Sequence, residues 1–307
     1  MKKTRLRFRS SDGENIIYGF RWEPEGQPKA VLQIIHGMSE HIDRYDEFAE
    51  FIADHGIAVY GMDLPGHGLS VRDPDDLGWF AEKDGKGLLL TDVHSLTKLA
   101  RKEHPGLPIF LLGHSMGSFI ARRYLTIWGD ELAGALILGT GSHPLGMTIF
   151  AKGLAYLYMK AFGPRYRSKL LDLITIRVND IWCWMKGMDN WFSKNAESVA
   201  AYRADPRCGF AFTAEGYHTL FSLLQDLASN KNADRIPKDL PVVFASGMDD
   251  PVGSCMTEVL SAYNKYVRLG IQDLDVWFYQ GDRHEILNEL DREDVYSDIL
   301  DWIEERI

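Results

Sequence analysis

The amino-acid sequence predicts an α/β fold in which a mostly parallel, doubly wound sheet carries an inserted helical cap. Two observations predict this fold. Short, almost entirely apolar segments alternate with segments in which apolar residues recur at helical spacing, as in consecutive βαβ units. Between two of the apolar segments, about 90 residues contain no convincing strand pattern, which is far too long for a loop in a compact domain.

Eight segments have the pattern of strands. The first two, at residues 4–9 and 16–22, flank a segment of turn-forming residues and are expected to pair antiparallel. The other six are apolar throughout or nearly so, which is typical of strands buried on both faces of a parallel sheet. They lie at residues 30–35, 57–62, 109–112, 135–138, 242–246 and 274–279.

Helices are predicted between these strands, where apolar residues follow the i, i+3, i+4, i+7 spacing of an amphipathic helix. Residues 43–55, 89–100 and 291–307 contain such stripes. A further stripe consists of Met256, Val259, Leu260, Tyr263 and Val267. The alternation of these helices with the strands predicts helices on both faces of the sheet.

The segment without strands, residues 143–236, is predicted to be the helical cap. It has mostly helical spacing and is rich in aromatic residues, including Trp182, Trp184 and Trp191. The sheet domain is then formed by residues 1–142 and 237–307.

The composition is that of an ordinary globular protein. Of the 307 residues, 45% are hydrophobic and 25% are charged, which excludes a disordered, collagen-like or disulfide-scaffold chain. The net charge of −10 argues against a broad electrostatic surface for nucleic acid or anionic lipid, so no nucleic-acid partner is expected. No signal peptide or transmembrane run is recognised, and the expected location is the cytoplasm.

The three cysteines, Cys183, Cys208 and Cys255, are widely spaced and form no CxxC pair. This spacing argues against a zinc ribbon or a thioredoxin-type redox site. All three are therefore expected to be small buried hydrophobic residues.

The most informative motif is Gly-His-Ser-Met-Gly at residues 113–117, which follows a predicted buried strand and precedes a helical pattern. A serine between a strand and a helix must occupy a tight, strained turn in which bulky neighbours would clash. The turn exposes the Ser115 hydroxyl at the sheet edge, where the following helix N-terminus favours developing negative charge. Ser115 is the candidate nucleophile; the simpler alternative is a glycine-rich turn with an incidental serine.

A serine hydroxyl needs a base, and the base needs an acid that orients it. In folds with this kind of turn, the three groups follow successive strands in the order serine, acid, histidine. His284 follows the last predicted strand and is the candidate base, and Asp250 follows the preceding strand and is the candidate acid. The adjacent Asp249 is the alternative acid, but Asp250 is favoured because Pro251 fixes the turn after it.

Acyl transfer places negative charge on the former carbonyl oxygen, and two backbone N–H groups are needed to stabilise it. The residue after the nucleophile, Met116, supplies one, and Met38 in the loop after the strand at 30–35 is expected to supply the other. His36 and His41 in the same loop are expected to shape it through hydrogen bonds. Metal binding there is not expected, because no carboxylate lies at a suitable spacing.

These motifs resemble the monoacylglycerol lipase and lysophospholipase branch of the α/β-hydrolase superfamily. The matching segments are HGMSEH at 36–41 followed by Arg44 and Tyr45, DLPGHGLS at 63–70, GHSMG at 113–117, DPVG at 250–253 and HEILNE at 284–289. The resemblance implies Ser115, Asp250 and His284 as the catalytic triad and Met38 and Met116 as oxyanion donors. It implies a structural role for His67, and the chain departs from several relatives in having Ser118 in place of a third glycine.

The expected function is ester hydrolysis by a serine hydrolase, with a monoacylglycerol or a lysophospholipid as the substrate and no metal or organic cofactor. One alternative is a short- to medium-chain carboxylesterase. Another is an aminopeptidase-type amide hydrolase, which would need cap acids such as Glu197, Asp205 or Glu215 for the substrate amine. A further alternative, from a different class, is a non-catalytic ligand-binding module on the same fold, although such modules usually lack a triad member.

The cap segment 147–162 is mostly apolar, with Lys152, Gly153 and Lys160 among the exceptions. Three roles are open to its side chains: they line an acyl pocket, touch a membrane surface, or only pack the cap onto the sheet domain. A local basic patch of Arg165, Arg167 and Lys169 would support a membrane contact. The oligomeric state is left open.

Overall fold

The computed structural model describes residues 1–230 and 232–307. All eight predicted strands are present and form one sheet, so the predicted fold class is confirmed. The strands are β1 Lys2–Arg9, β2 Ile16–Glu23, β3 Ala30–Ile35, β4 Ile57–Met62, β5 Ile109–His114, β6 Gly134–Leu138, β7 Val242–Gly247 and β8 Leu274–Tyr279.

The strand order across the sheet is β1-β2-β4-β3-β5-β6-β7-β8. Among these strands only β2 runs against the others: it pairs antiparallel with β1 and β4, and the remaining neighbours pair in parallel. The predicted antiparallel N-terminal pair is confirmed, with Lys2 opposite Glu23 and Arg9 opposite Ile16.

Ten α-helices are present in the described part of the chain. They are α1 Asp46–Asp54, α2 Gly85–Glu103, α3 Met116–Trp128, α4 Leu145–Phe162, α5 Lys169–Asp172, α6 Val178–Met185, α7 Ala196–Ala204, α8 Ala214–Ala228, α9 Thr257–Leu269 and α10 Arg292–Glu304. None of these helices combines the length and the apolar composition that a membrane span requires.

Helices cover both faces of the sheet because its central strands are apolar on both faces. α1 and α10 bury their apolar stripes in one core, which contains Leu32 of β3. α2, α3 and α9 bury theirs in the opposite core, which contains the preceding residue Val31. Successive side chains of one strand point to opposite faces, so a strand between two cores must be apolar throughout.

The chain between β6 and β7 contains five of the helices, α4 to α8, and no strand among its described residues. α8 carries this segment into the core of the sheet domain, where its Tyr217, Leu220 and Leu223 pack with residues of α3. A π-helical turn at Leu173–Arg177 joins α5 to α6. The residue limits of the cap, 143 and 236, stay a prediction.

One predicted helix stripe has the wrong phase. In α9 the buried residues are Val259, Ala262 and Tyr266, whereas Leu260 and Val267 are exposed. Both sets have helical spacing, and the sequence alone did not distinguish them because α9 is apolar on more than one side.

The parallel strands bring four predicted site segments to one edge of the sheet. β3, β5, β7 and β8 all end at this edge, since parallel strands point their carboxyl ends the same way. Their next residues are the loop at 36–41, Ser115, the segment containing Asp250, and the loop containing His284. The fold therefore assembles the candidate site from positions that are far apart in the sequence.

Candidate active site

Ser115 occupies a strained backbone position between β5 and α3. Its dihedral angles are φ 54° and ψ −120°, a combination that residues other than glycine rarely adopt. The position is fixed by hydrogen bonds on both sides: Ser115 N–H donates to Leu138 O at 3.0 Å, and Ser118 N–H donates to Ser115 O at 2.9 Å. The strained turn that the sequence predicts is therefore present.

The two glycines of the motif are required by close backbone approaches. A Cβ atom on Gly113 would overlap the carbonyl oxygen of Gly117, and one on Gly117 would overlap the carbonyl oxygen of Ile35. Helix α3 thus lies directly against β5 and β3. This close packing holds its first turn under the loop that follows β3.

Asp250 and His284 meet in a buried pair. The Nδ1 atom of His284 lies 3.0 Å from Oδ2 of Asp250, and both side chains are buried. The carboxylate also accepts hydrogen bonds from Ser246 Oγ at 3.2 Å and from Val252 N–H at 2.9 Å. Asp249 is exposed and does not make this contact, so the structure brings the favoured of the two aspartates to His284.

The loop after β3, residues 36–41, lies beside the serine and is called the oxyanion loop below. An ideal Cβ on Gly37 would be 3.1 Å from the Cβ of Ser115, and Met38 and Met116 line a cavity together with Ser115. Among the described residues, the backbone N–H groups of Met38 and Met116 have no backbone acceptor. Both predicted donors therefore lie near the serine, and their role as oxyanion donors stays a prediction.

A buried ionic cluster ties the oxyanion loop to the histidine loop. Glu40 accepts the N–H of Gly37 at 2.5 Å and a hydrogen bond from Arg44 at 2.6 Å, and Arg44 holds both carboxylate oxygens of Glu285. Burial opposes the ionisation of Glu40, but the charges of Arg44 and His114 outweigh it and hold its pKa well below the ordinary value. The cluster therefore links the oxyanion loop, Arg44 just after it, and the histidine loop.

His114, directly before the serine, belongs to the same cluster. Its Nε2 lies 3.2 Å from the carbonyl oxygen of His284, and its Nδ1 lies 3.0 Å from the hydroxyl of Tyr45, which donates to Glu40. Burial by itself would lower the pKa of His114, but the hydrogen bond and charge of Glu40 raise it. This cluster was not predicted from the sequence, although Glu40, Arg44 and Glu285 lie in the motifs that carry the resemblance.

A short cap segment, residues 191–194, is bonded to the histidine loop and is called the cap strap below. His284 and Glu285 donate their N–H groups to the carbonyl oxygens of Trp191 and Phe192, at 3.3 and 2.8 Å. The fully buried carboxylate of Glu289 accepts from the N–H groups of Arg283 and Lys194, each at 2.8 Å. The cap therefore contributes directly to the position of His284.

Ser115 lies where two cavities of different character meet. One, of about 530 Å³ and called the polar cavity below, has a mixed lining, in which charged side chains lie beside aromatic ones such as Phe192, Tyr202 and Phe210. Its charged residues include Glu40, Asp172, Arg177, Asp180 and Arg203. The other, of about 490 Å³, is lined mainly by apolar side chains, including Met147, Ile174, Val178, Trp182 and Leu224. Met38, Ser115, Ile176 and Trp191 line both cavities.

The remaining predicted residues lie near this centre. His36 accepts the N–H of Leu64 at 2.9 Å, and His67 accepts that of Ser39 at 3.3 Å, so both shape loops as expected. Cys183 is buried as predicted. Cys208 and Cys255 are only half-buried and line the polar and apolar cavity respectively, so the expectation of full burial is wrong for them.

Comparisons with known proteins agree with this arrangement. The family described as serine aminopeptidase, S33, matches residues 26–291, which is most of the chain. The chain belongs to this family. Among solved structures, a highly thermostable carboxyl esterase from Bacillus coagulans, in complex with glycerol, is 26% identical and superposes with a TM-score of 0.87, covering 100% of this chain and 99% of that one.

Relatives described as monoacylglycerol or monoglyceride lipases match nearly the whole length of this hydrolase. The monoacylglycerol lipase of Mycolicibacterium smegmatis is 27% identical over 303 residues, covering 96% of this chain and 95% of the relative. Human monoglyceride lipase is 24% identical, covering 97% and 89%. A soluble variant of the Saccharomyces cerevisiae monoglyceride lipase has the same fold, with a TM-score of 0.75, 20% identity and coverage of 99% and 94%. The resemblance and the α/β-hydrolase fold are confirmed.

A buried carboxyl group lies under the loop that carries His284. Burial, together with the nearby carboxylates of Asp291 and Glu289, raises the pKa of Asp282 from 3.8 to about 7. The carbonyl oxygen of Asp282 accepts the N–H of Asp249 at 2.8 Å, so this residue joins the histidine loop to the segment that contains Asp250.

This raised pKa predicts a pH-dependent stability. Between about pH 4 and about pH 7 the folded chain keeps a proton on Asp282 that the unfolded chain has released, so the free energy of unfolding should fall as the pH rises. The Asp282→Asn variant is neutral in both states, and its stability relative to wild type should increase from about pH 5 to about pH 8. Urea denaturation at both pH values measures this difference.

The matched control is Asp249→Asn, which removes an exposed carboxylate from the facing segment. Its stability relative to wild type should change little over the same pH range. A stability difference between D282N and wild type that is independent of pH would contradict the assignment of a buried, protonated carboxyl group.

Proposed function

We propose that this hydrolase cleaves carboxylic esters of monoacyl lipids, with a monoacylglycerol as the favoured substrate. The observation that carries the proposal is the position of Ser115 at the junction of an apolar and a polar cavity. An ester that joins a long acyl chain to a polar alcohol has the same two-sided character. Its scissile carbonyl would lie beside Ser115 with the acyl chain and the alcohol on opposite sides.

The proposed mechanism is a two-step acyl transfer. Ser115 Oγ attacks the ester carbonyl while Nε2 of His284 takes the hydroxyl proton, and Asp250 holds the imidazole through Nδ1. The N–H groups of Met38 and Met116 stabilise the oxyanion. The alcohol leaves with the proton from His284, and a water molecule, deprotonated by His284, then releases the fatty acid and regenerates Ser115.

The charges of the polar cavity favour a neutral alcohol such as glycerol over a phosphate-bearing head group. Asp172 and Asp180 share the guanidinium group of Arg177, at 3.1 and 3.3 Å. The whole lining contains five acidic side chains and two basic ones: Glu40, Asp172, Asp180, Asp189, Glu285, Arg177 and Arg203. Hydroxyl groups donate readily to carboxylates, whereas an anionic phosphate is repelled. The bound glycerol of the Bacillus coagulans esterase and the names of the lipase relatives support the same choice.

An aminopeptidase activity is less well supported, despite the name of the family. Among the cap acids considered for it, Asp205 is held by Arg207 and His41, and Glu215 is buried and accepts the N–H of Phe80 and the hydroxyl of Thr219. Glu197 lies at the first turn of α7 and lines a separate groove. None of the three is free and within the cavities at Ser115 to bind a substrate amine.

The cap also has the surface expected of a protein that takes its substrate from a membrane. Of the 21 large apolar side chains that are exposed among the described residues, 15 lie between residues 145 and 185. The exposed fractions reach 69% for Phe150, 79% for Trp184 and 72% for Met185. Because so many exposed large apolar side chains in one segment are unusual on a soluble monomer, we propose that this part of the cap contacts the lipid surface.

This membrane contact does not need anionic lipid. Arg165 binds Asp76 at 2.6 Å, and Arg167 donates to the carbonyl oxygens of Asp75 and Leu77, so both arginines hold the cap to the sheet domain. The predicted basic patch is thus partly used within the protein. A cytoplasmic location stays a prediction.

The triad assignment predicts the effects of three single substitutions. Ser115→Ala and Asp250→Asn should each lower kcat for p-nitrophenyl esters by about 10⁴-fold or more, because the first removes the nucleophile and the second misorients the base. Asp249→Asn is the matched control, since its side chain is exposed and adjacent to Asp250. Circular dichroism should show that all three variants are folded. Full activity of S115A, or equal losses in D249N and D250N, would contradict the assignment.

The proposed substrate class predicts a rate profile over a panel of esters. The ratio kcat/KM should rise with acyl length from acetate to long-chain monoacylglycerols, because each methylene group buried in the apolar cavity contributes to binding. Lysophosphatidylcholine and amino-acyl amides should be poorer substrates. A sharp preference for acetyl esters would favour the carboxylesterase alternative, and preferential cleavage of an amino-acyl amide would favour the aminopeptidase.

The proposed membrane contact predicts a separation of binding from catalysis. The double variant Phe150→Ser/Trp184→Ser should lose sedimentation with phosphatidylcholine vesicles, because it removes two large exposed apolar side chains that line neither cavity. Its rate on a water-soluble short-chain ester should stay close to that of wild type. The matched control is Leu290→Ser. Leu290 lies outside the cap, and its exposed fraction of 69% equals that of Phe150. Unchanged vesicle binding of the double variant would contradict the proposed contact.

A further inference from the structure

Three side chains with metal-binding atoms meet where the cap crosses the oxyanion loop. His41 ends that loop, and Asp205 and Cys208 follow α7 in the cap. One ligand atom from each residue lies within 4.8 Å of the other two, and no other such group of three occurs in the described residues. We propose that His41, Asp205 and Cys208 form a binding site for Zn²⁺ or a similar thiolate-binding divalent cation.

The nitrogen and oxygen ligand atoms are already close to the spacing of a tetrahedral ion, and the sulfur is within reach. Nε2 of His41 lies 2.9 Å from Oδ2 of Asp205, and Sγ of Cys208 lies within 4.8 Å of both atoms. Zinc binds nitrogen and oxygen at about 2.0–2.2 Å and sulfur at about 2.3 Å, so its ligand atoms are roughly 3.3–3.6 Å apart. The nitrogen and oxygen therefore need to separate by about half an ångström, and the sulfur needs to approach by up to about 1.2 Å, which side-chain rotations provide. Three protein ligands leave the fourth position to a water molecule.

Metal binding would replace one hydrogen bond of His41. Nε2 of the ring faces Oδ2 of Asp205 at 2.9 Å, and its buried Nδ1 has no partner among the described residues. The ring therefore makes no other polar contact that a metal ion would break. Arg207 already orients the carboxylate, donating from its backbone N–H to Oδ1 at 2.8 Å and from Nη2 to Oδ2 at 2.7 Å. Carboxylates that bind metal ions are commonly held by hydrogen bonds of this kind.

The ligands themselves supply the charge that offsets a dication. On binding, the Cys208 thiol gives its proton to solvent, and the resulting thiolate and the Asp205 carboxylate provide two negative charges. The charged groups around Cys208 include the carboxylates of Glu40 and Glu285 and the guanidinium group of Arg44. The thiolate favours Zn²⁺ or Co²⁺ over Mg²⁺ and Ca²⁺.

The ion would strengthen an existing junction between the cap and the sheet domain. Gly209 donates its N–H to Ser39 O at 2.9 Å, and Ser39 Oγ donates to Phe210 O at 2.6 Å. Both bonds join the oxyanion loop to the cap segment that contains Cys208. A metal ion that links His41 to this segment stabilises the folded chain, because it binds only where the two segments are together.

Metal titrations of the full chain, purified with chelator and reductant and then freed of both, test the proposal. We expect one Zn²⁺ per chain by isothermal titration calorimetry, with no binding of Mg²⁺ or Ca²⁺ under the same conditions. Co²⁺ should give the thiolate-to-cobalt charge-transfer absorption and tetrahedral d–d bands. Zn²⁺ should also raise the Tm in a thermal scan.

Two ligand variants and one cysteine control locate the site. Cys208→Ser should abolish the charge-transfer absorption, and Asp205→Asn should weaken Zn²⁺ binding by about tenfold or more. Cys255→Ser, which alters the other half-buried cysteine, should leave both signals intact. The proposal is overturned if no stoichiometric Zn²⁺ binding occurs, or if C208S binds Zn²⁺ and Co²⁺ as wild type does. None of these readouts measures ester hydrolysis, so the metal site is tested independently of the proposed function.

Discussion

The strained backbone at Ser115 is the constraint on which the rest of the site depends. A φ of 54° at a residue with a side chain costs about 1–3 kcal/mol and persists only where the surrounding structure enforces it. Here the enforcing contacts are those of Gly113 and Gly117, which bring α3 against β5 and β3 without a Cβ between them. The serine and the N–H of Met116 are thereby held at the sheet edge in the absence of substrate. Pre-organisation of this kind is what electrostatic stabilisation of an oxyanion requires.

The loops around the serine depend on each other through buried charges. Arg44 bridges Glu40 of the oxyanion loop and Glu285 of the histidine loop, and Glu40 also binds the N–H of Gly37. Removal of one partner would leave a buried charge unpaired, which is costly. The cap enters the same network, because Trp191 of the cap strap packs on His284 and donates its indole N–H to Asp180 of α6 at 3.0 Å. The cap therefore contributes to the position of His284 as well as to the walls of both cavities.

The strands, which the structure confirms, and the candidate triad positions were both predicted from local patterns; the triad stays a prediction, of which the structure shows the Asp250–His284 pair. Continuous apolar runs identified β3 to β7, and the turn chemistry around Ser115 and the chain order identified His284. The choice between Asp249 and Asp250 rested only on Pro251, and the burial of Asp250 against His284 supports it. The phase of the α9 stripe was wrong because it is set by which face of the helix meets β7 and β8, and the spacing of Leu260 and Val267 fitted a helix equally well.

Contacts across the chain were beyond the reach of local patterns. His41 was not expected to bind a metal because no carboxylate lies at a suitable spacing from it in the sequence, yet Asp205, 164 residues away, lies 2.9 Å from its ring. The division of the site into a polar and an apolar cavity was likewise not predictable from local patterns, since the side chains that line each cavity come from segments far apart in the sequence. Within the π-helical turn at Leu173–Arg177, Ile176 faces both cavities, while Ile174 lines the apolar one and Arg177 the polar one.

The most direct test of the account is a crystal structure of the chain inactivated by a phosphonate ester that carries a long alkyl chain. We expect phosphorus bonded to Ser115 Oγ, the phosphoryl oxygen within hydrogen-bond distance of the Met38 and Met116 N–H groups, His284 beside the modified serine, and the alkyl chain in the cavity lined by Trp182 and Leu224. Modification of another residue, or an adduct with His284 remote from Ser115 and the alkyl chain among Asp172 and Arg177, would contradict it.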